Sequence, residues 1–165
     1  ELIKSQASTL FYEILNMYLI NQPIELSAPD RNDEIMQKFM VSLDLHYRQE
    51  RNVAFYAAEQ CLSYSYFSEI IKSKTGVTAL KWIISRVIID SKQMLEFTNI
   101  SIKEIADKLN FPTQTFFGKY FKQYVGISPK EYRKRCKNRK GDVTANKIEI
   151  DLYNYLRNSD TKSEL

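Results

Sequence analysis

One feature narrows what this chain can fold into more than any other: it contains two related copies of one short pattern. Residues 101–135 read SIKEIADKLNFPTQTFFGKYFKQYVGISPKEYRKR, and a blurred version of the same arrangement begins about fifty residues earlier. Ala57 matches Ala106 at an offset of 49, and Phe67, Lys72 and Gly76 match Phe117, Lys122 and Gly126 at an offset of 50. Trp82 falls on Tyr132 at the same offset. The one extra residue belongs in the turn between paired helices, where insertion costs least. A duplicated helix-turn-helix unit accounts for this register.

The local signals inside each copy are helical. Ser101 and Glu104 have the spacing of a capping box, with Ile102, Ile105, Ala106 and Leu109 as the apolar stripe behind it. Pro112 suits the start of the next helix, which turns Phe117, Tyr120, Phe121 and Tyr124 inward and stops at Gly126. Ser128 and Glu131 make a second capping box around Pro129. In the first copy a helix ends near Cys61, Ser63 caps a second with Phe67, Ile70 and Ile71 inward, and Gly76 ends it. Thr78 opens a long helix with Leu80, Ile83, Ile84, Val87, Ile88, Ser91, Met94 and Leu95 on one face. Upstream, Asp33 is placed to cap a helix with the stripe Ile35, Met36, Phe39, Met40, Leu43 and Tyr47. Two weaker helices are expected over residues 8–20 and 147–156. Four Gly and four Pro in 165 residues leave little material for the turns of a β fold. The expected class is therefore all-α: two helix-turn-helix subdomains joined by a long linker helix, with extra N-terminal helices.

Charge separates the middle of the chain from its ends. Residues 1–33 hold two bases and five acids, residues 34–140 nineteen bases and ten acids, and residues 141–165 three bases and five acids. A middle at net +9 between mildly acidic flanks fits a polyanion partner, or a Lys-rich solvated surface. Two cysteines, Cys61 and Cys136, and a single histidine, His46, support neither a disulfide framework nor a metal site, and no cofactor is expected. No Ser/His/Asp or Cys/His set and no Gly-rich phosphate loop points to an enzyme. No apolar run approaches the ~18 residues of a membrane span, and cytoplasmic placement is the default expectation.

In a helix-turn-helix unit the first helix needs a small residue at the crossing, here Ala57 and Ala106. The second must bury one face and offer the other to a DNA major groove. The outward positions are Ser65, Ser68, Glu69 and Lys72 in the first copy, and Gln114, Thr115, Gly118, Lys119 and Lys122 in the second. Gln pairs with the adenine edge and Lys with the guanine edge, whereas Thr offers a methyl to thymine. Lys72, Lys74, Lys81, Arg86, Lys122, Arg133 and Arg135 are candidates for phosphate contact, which positions a protein without reading sequence. Trp82 and Tyr132 read as core anchors, and His46 as a surface or partly packed residue. A linker helix over residues 78–97 would be roughly 30 Å long at ~1.5 Å per residue. Successive major grooves on one DNA face recur every ~34 Å.

The residues resemble the AraC/XylS-type transcriptional regulators over about residues 50–135. The resemblance is strongest in SIKEIADKLNFPTQTFFGKYFKQYVGISPKEYR and extends to FYAAEQCLSYSYFSEIIKSKTGVTALKWI in the first copy. It implies a DNA-binding domain of seven helices that binds promoter DNA and most often activates transcription. By the same resemblance Ser65, Ser68 and Glu69, and Gln114, Thr115, Gly118 and Lys119, stand at base-reading positions. Three residues depart from the pattern. Asn110 replaces the usual turn glycine, Cys61 fills the equivalent place in the first copy, and Glu69 is an acid where a donor is common.

The expected organisation follows. Residues 1–32 would be the closing helix of an upstream sensor or dimerisation domain plus a linker. Residues 33–90 and 91–138 would be the two helix-turn-helix subdomains, and residues 139–165 a tail. The chain begins at Glu1 rather than Met, which suggests a piece of something longer. Expected partners are double-stranded promoter DNA, RNA polymerase and a second copy engaged through the upstream domain or the N-terminal helix. The competing reading is a helical protein–protein adaptor with a basic face, which explains charge and helices but not the paired units.

Overall fold

A computed structural model describes residues 30–138. The expected helices over residues 8–20 and 147–156 lie outside those residues. Within them run seven helices: α1 (Arg31–His46), α2 (Val53–Glu59), α3 (Tyr64–Thr75), α4 (Ala79–Phe97), α5 (Ile102–Lys108), α6 (Gln114–Val125) and α7 (Pro129–Asn138). No strand occurs among the described residues, and the all-helical class stands.

Side-chain caps set most of the helix starts. Asn52, Ser63, Thr78, Ser101 and Thr113 each accept a backbone N–H from the first turn of the helix they precede. Ser101 and Glu104 form the full reciprocal box, with Ser101 N donating to Glu104 Oε2 at 2.7 Å. Hydrogen bonding to the Ser101 side chain and then to its backbone holds the Glu104 carboxyl below its ordinary value. Ser128 caps α7 by accepting from Glu131 N, but the Glu131 carboxylate turns instead to Arg135 at 2.6 Å. Helices α3 and α6 both end on glycine in the left-handed region, Gly76 at φ 71° and Gly126 at φ 86°.

The repeat holds down to single hydrogen bonds. Leu62 N donates to Ala57 O at 3.0 Å and Phe111 N to Ala106 O at 2.9 Å, closing the same turn in each copy. The residue before each donor is left-handed, Cys61 at φ 55° and Asn110 at φ 52°. Cys61 therefore takes the same tight turn as Asn110. The copies fall out of step only after this point, and the added residue is Pro112. It lies ahead of the Thr113 cap rather than inside α6, so the expectation that it starts the helix is corrected by one cap position. Upstream, the residue at the N-cap of α1 is Asp30 rather than the expected Asp33, and its side chain makes no capping bond. The Asp30 carbonyl accepts the first-turn amides of Asp33 and Glu34, and Asp33 is drawn off to Lys74 at 2.8 Å.

The helices assemble in two sets that share α4. Helices α1 and α2 pack on α3, and α3 on α4; α5 packs on α6, while α5, α6 and α7 also pack on α4. In the first set Phe39 meets Tyr56 and Phe67 edge-on, with ring centroids 5.5 and 5.3 Å apart. Trp82 is buried in the same core, its indole N–H donating to Thr75 Oγ1 at 3.2 Å. In the second set Phe111, Phe117, Phe121 and Tyr132 form a chain of tilted and edge-on ring contacts. Ala57 and Ala106 are buried where the first helix of each unit faces the turn.

Helix α4 departs from its expected pattern. Every residue from Trp82 to Ser91 is buried, including Ser85, Arg86, Asp90 and Ser91, whereas Leu80 is 49% exposed. A helix covered from two sides has no solvated face in its middle, so the one-face stripe underestimates its burial. Its two buried charges are both met by the end of α1. Arg86 donates twice to Asp44 Oδ1, at 2.7 and 3.1 Å, with its guanidinium 4.3 Å from the Tyr47 ring. Asp90 accepts from Tyr47 Oη at 2.7 Å and from Arg48 Nε at 2.8 Å. Burial, with the Asp90 charge beside it, pushes the Tyr47 hydroxyl up to about 12.

Candidate nucleic-acid interface

Each second helix buries one side and opens the other. In α3, Phe67 and Ile71 are fully buried while Ser65, Glu69 and Lys72 are exposed, one turn apart along the opposite face. In α6, Phe117 and Phe121 are fully buried while Gln114, Thr115, Lys119 and Lys122 are exposed. Gly118 lies among them, half-exposed, with no atom within 4 Å of where a Cβ would stand. The chain itself therefore supplies no steric reason for glycine there, although glycine costs about 1 kcal/mol in a helix interior.

Several sequence-derived assignments change once neighbours are in place. Ser68 is the exception on the outer face of α3: the residue is half-buried and its Oγ is shielded from solvent. Arg86 is 4% exposed and held by Asp44, so it is a core ion pair and not a phosphate contact. Lys74 bridges to Asp33 and lies 3.9 Å from Asp30, which makes it a staple between α3 and the start of α1. Arg133 is half-buried and its Nε donates to Leu95 O at 3.3 Å, tying α7 to the end of α4. Sequence alone marks all of these as bases near a basic face; only packing shows which have acquired an internal partner. Lys72 and Lys122 sit exposed at matched places in the last turns of α3 and α6. Lys81 is half-exposed in the first turn of α4, and Arg135 pairs with Glu131 on the surface, an arrangement that water and salt weaken.

Sequence reasoning missed three aromatics. Tyr64, Tyr66 and Phe116 are exposed at 56%, 43% and 60%, at the front ends of α3 and α6. Tyr66 and Phe116 are themselves a matched pair at the offset of 50, each immediately before a fully buried Phe. That pairing was available in the sequence, but an aromatic beside a core position reads as core until its neighbours are known. His46 is half-exposed, edge-on to Phe55 and 3.5 Å from Glu59, in keeping with a partly packed residue. Among the described residues no group of three or more His, Cys, Asp or Glu could hold a metal, and no helix is long and apolar enough to cross a membrane.

Comparison with known proteins places this geometry. A family model described as a helix-turn-helix domain matches residues 56–135. The arabinose operon regulatory protein of Escherichia coli K12 is 30% identical over 92 residues, covering 56% of this chain and 32% of that protein. The raffinose operon transcriptional regulatory protein RafR of Pediococcus pentosaceus is 28% identical over 138 residues, covering 81% of this chain and 47% of RafR. The chain thus spans under half the length of these relatives. Among solved structures, the C-terminal domain of AraT, a response regulator from Geobacillus stearothermophilus, superposes with a TM-score of 0.59 at 25% identity, over 64% of this chain and 88% of that one. The DNA-binding domain of AdpA, solved with a target DNA, has the same fold, with a TM-score of 0.58 at 24% identity over 71% of this chain and all of that one. Paired turns, a shared central helix and these likenesses converge: residues 56–135 match a helix-turn-helix domain, and over them the chain resembles the AraC/XylS-type transcriptional regulators.

Proposed function

We propose that this chain is a sequence-specific DNA-binding transcription regulator, an activator, that inserts α3 and α6 into neighbouring major grooves of promoter DNA. The observation carrying this reading is the duplicated face. Two helices fifty residues apart bury the same Phe, end on the same left-handed Gly and leave polar side chains outward at the same places. An adaptor with a basic face has no need of that correspondence. Helix α4, nineteen residues long, measures about 28 Å, close to the ~34 Å that separates grooves on one face of the duplex. The relatives are named as regulators of transcription, a class outside enzymes.

Ser65 and Glu69 in α3, and Gln114, Thr115 and Lys119 in α6, are assigned to base edges. Gly118 lets the α6 backbone approach the groove floor. Lys72, Lys81, Lys122 and Arg135 are assigned to phosphates. Phe116 and Tyr66 add apolar surface of the kind that meets a thymine methyl. Glu69 accepts only from a donor such as the cytosine amine and disfavours nearby phosphate. Residues 33–90 and 91–138 act as the two reading units in the cytoplasm. RNA polymerase, and a second copy engaged through the region upstream of residue 33, complete the partner set.

Duplexes selected by the chain from random oligonucleotides provide the test. Lys119→Ala should relax discrimination at one base pair, by about 1–3 kcal/mol, and leave the others as they were. Lys122→Ala should weaken all sequences alike and reduce the salt slope by about one. Equal, sequence-independent losses in both variants would remove Lys119 from the base-reading set, and absence of any selected sequence would remove the function.

A further inference from the structure

Besides sharing α4, the two helix sets touch through Arg51. This residue lies in the short segment between α1 and α2, and its guanidinium reaches the turn of the second unit. Nη2 donates to Leu109 O and to Arg48 O, the latter at 3.3 Å, and Nη1 donates to Asn110 O at 3.3 Å. The guanidinium carbon stands 4.0 Å from the centroid of Phe111. The contact is reciprocated by Asn110, whose Nδ2 donates to Gln49 O at 3.4 Å.

The bond partners suit a cation. Leu109 and Asn110 follow directly on α5, where carbonyls lack intrahelical donors and the helix dipole is negative. Arg offers a planar fork able to bond two carbonyls while its face lies on a ring, which Lys cannot reproduce. The repeat shows that this is not the default at the site. At the offset of 49, Arg51 corresponds to Ile100, which packs on the core ahead of α5 in the second copy. An apolar position has become a bridge between copies.

The bridge ends on the reading helix. Phe111 lies 5.3 Å from Phe117 and 5.1 Å from Tyr120, both in α6. On the other side, the Arg48 carbonyl that Arg51 grips belongs to a residue bonded to Asp90 of α4, and Asn52, next in the chain, caps α2, which packs on α3. A displacement of α6 relative to α3 must therefore stretch the Arg51 bonds or bend α4.

We infer that Arg51 is a positioning residue that locks the second helix-turn-helix unit to the first and so sets the half-site spacing the protein accepts on DNA. The inference rests on the reading of α3 and α6 as groove-inserting helices, and two measurements separate its failure from the failure of that reading. Without DNA, backbone residual dipolar couplings of α3 and α6 in the full chain should fit one alignment tensor for the native protein. Two tensors should be needed for Arg51→Ile, the residue of the second copy. With DNA, the selected duplex is compared with versions carrying one base pair more or fewer between half-sites. The affinity penalty for altered spacing should shrink about threefold to tenfold in Arg51→Ile. The penalty for a wrong base inside either half-site should stay as in the native protein. Arg51→Lys, which keeps the charge but not the fork, should behave like Arg51→Ile, and it carries the same comparison if Arg51→Ile does not fold. A single tensor together with an unchanged spacing penalty in the variants would overturn the inference. So would a uniform loss of affinity at every spacing with a shallower salt slope, which would make Arg51 a phosphate contact. If no duplex is selected at all, the DNA reading fails while the dipolar couplings still judge the lock.

Discussion

Two neighbouring residues at the end of α1, Tyr47 and Arg48, show how a basic, aromatic surface pattern can conceal a core network. Tyr47 is buried against Asp90 and under Arg86. Its folded-state pKa is raised from 10.0 to about 12, so the neutral hydroxyl is favoured by folding. That contribution is complete below pH 10 and is lost as pH rises through about 12. Burial raises the Tyr56 hydroxyl as well, so a phenolate absorbance titration should show a late-ionising phase that loses one group, the earlier of the two, in Tyr47→Phe and accompanies loss of helical circular dichroism in the native chain. Arg86 supplies the companion prediction. Replacing it by Leu leaves Asp44 without its donor, and urea denaturation should report a loss of about 2–4 kcal/mol. DNA affinity of the folded fraction should stay unchanged, since Arg86 faces the core.

At the scale of elements, the turns carry the informative strain. Cys61 and Asn110 occupy the left-handed region at equivalent places, but their costs differ. A residue with a Cβ and no local hydrogen bond to offer loses roughly 1–2 kcal/mol there, while Asn tolerates it. Asn110 also bonds Gln49 O, whereas Cys61 is exposed. Cys61→Gly should therefore raise stability by about 0.5–1 kcal/mol after the added freedom of the unfolded chain is counted, and Asn110→Gly should lower it or leave it level. Thermal melts of the two variants side by side decide this. The caps at Ser63, Thr78, Ser101 and Ser128, the glycine stops and the left-handed Asn110 turn are legible because each depends on residues within one turn of the chain, whereas the cap expected at Asp33 falls instead at Asp30. Pro112 was misplaced by one cap position because Pro suits several places before a helix.

For the whole molecule, salt is the relevant variable. The middle of the chain carries net +9, yet Arg86, Lys74 and Arg133 hold their charges on internal partners. With Lys72, Lys81, Lys122 and Arg135 as the phosphate set, the plot of log affinity against log salt should have a slope of about −3 to −4. That amounts to about a hundredfold loss between roughly 50 and 200 mM. A slope near −6 in fluorescence anisotropy titrations would return all seven predicted bases to the interface. A slope near zero would leave the charge without a polyanion to meet.

Most helix positions within residues 30–138, the duplication and the resemblance of about residues 50–135 to a helix-turn-helix family are readable without coordinates, because they rest on local capping and on a period repeated twice. The outward faces of α3 and α6 were readable for the same reason, a helix having only one way to bury Phe67 or Phe117. What remained hidden depends on contacts between residues some forty to sixty positions apart. In sequence Arg86 reads as a phosphate contact, and only the fold gives it Asp44; Arg51 carries no local signal, and only the fold sets Leu109 and Phe111 beside it. A charged side chain reads the same in sequence whether it meets water, phosphate or a carbonyl across the fold; only tertiary packing selects which.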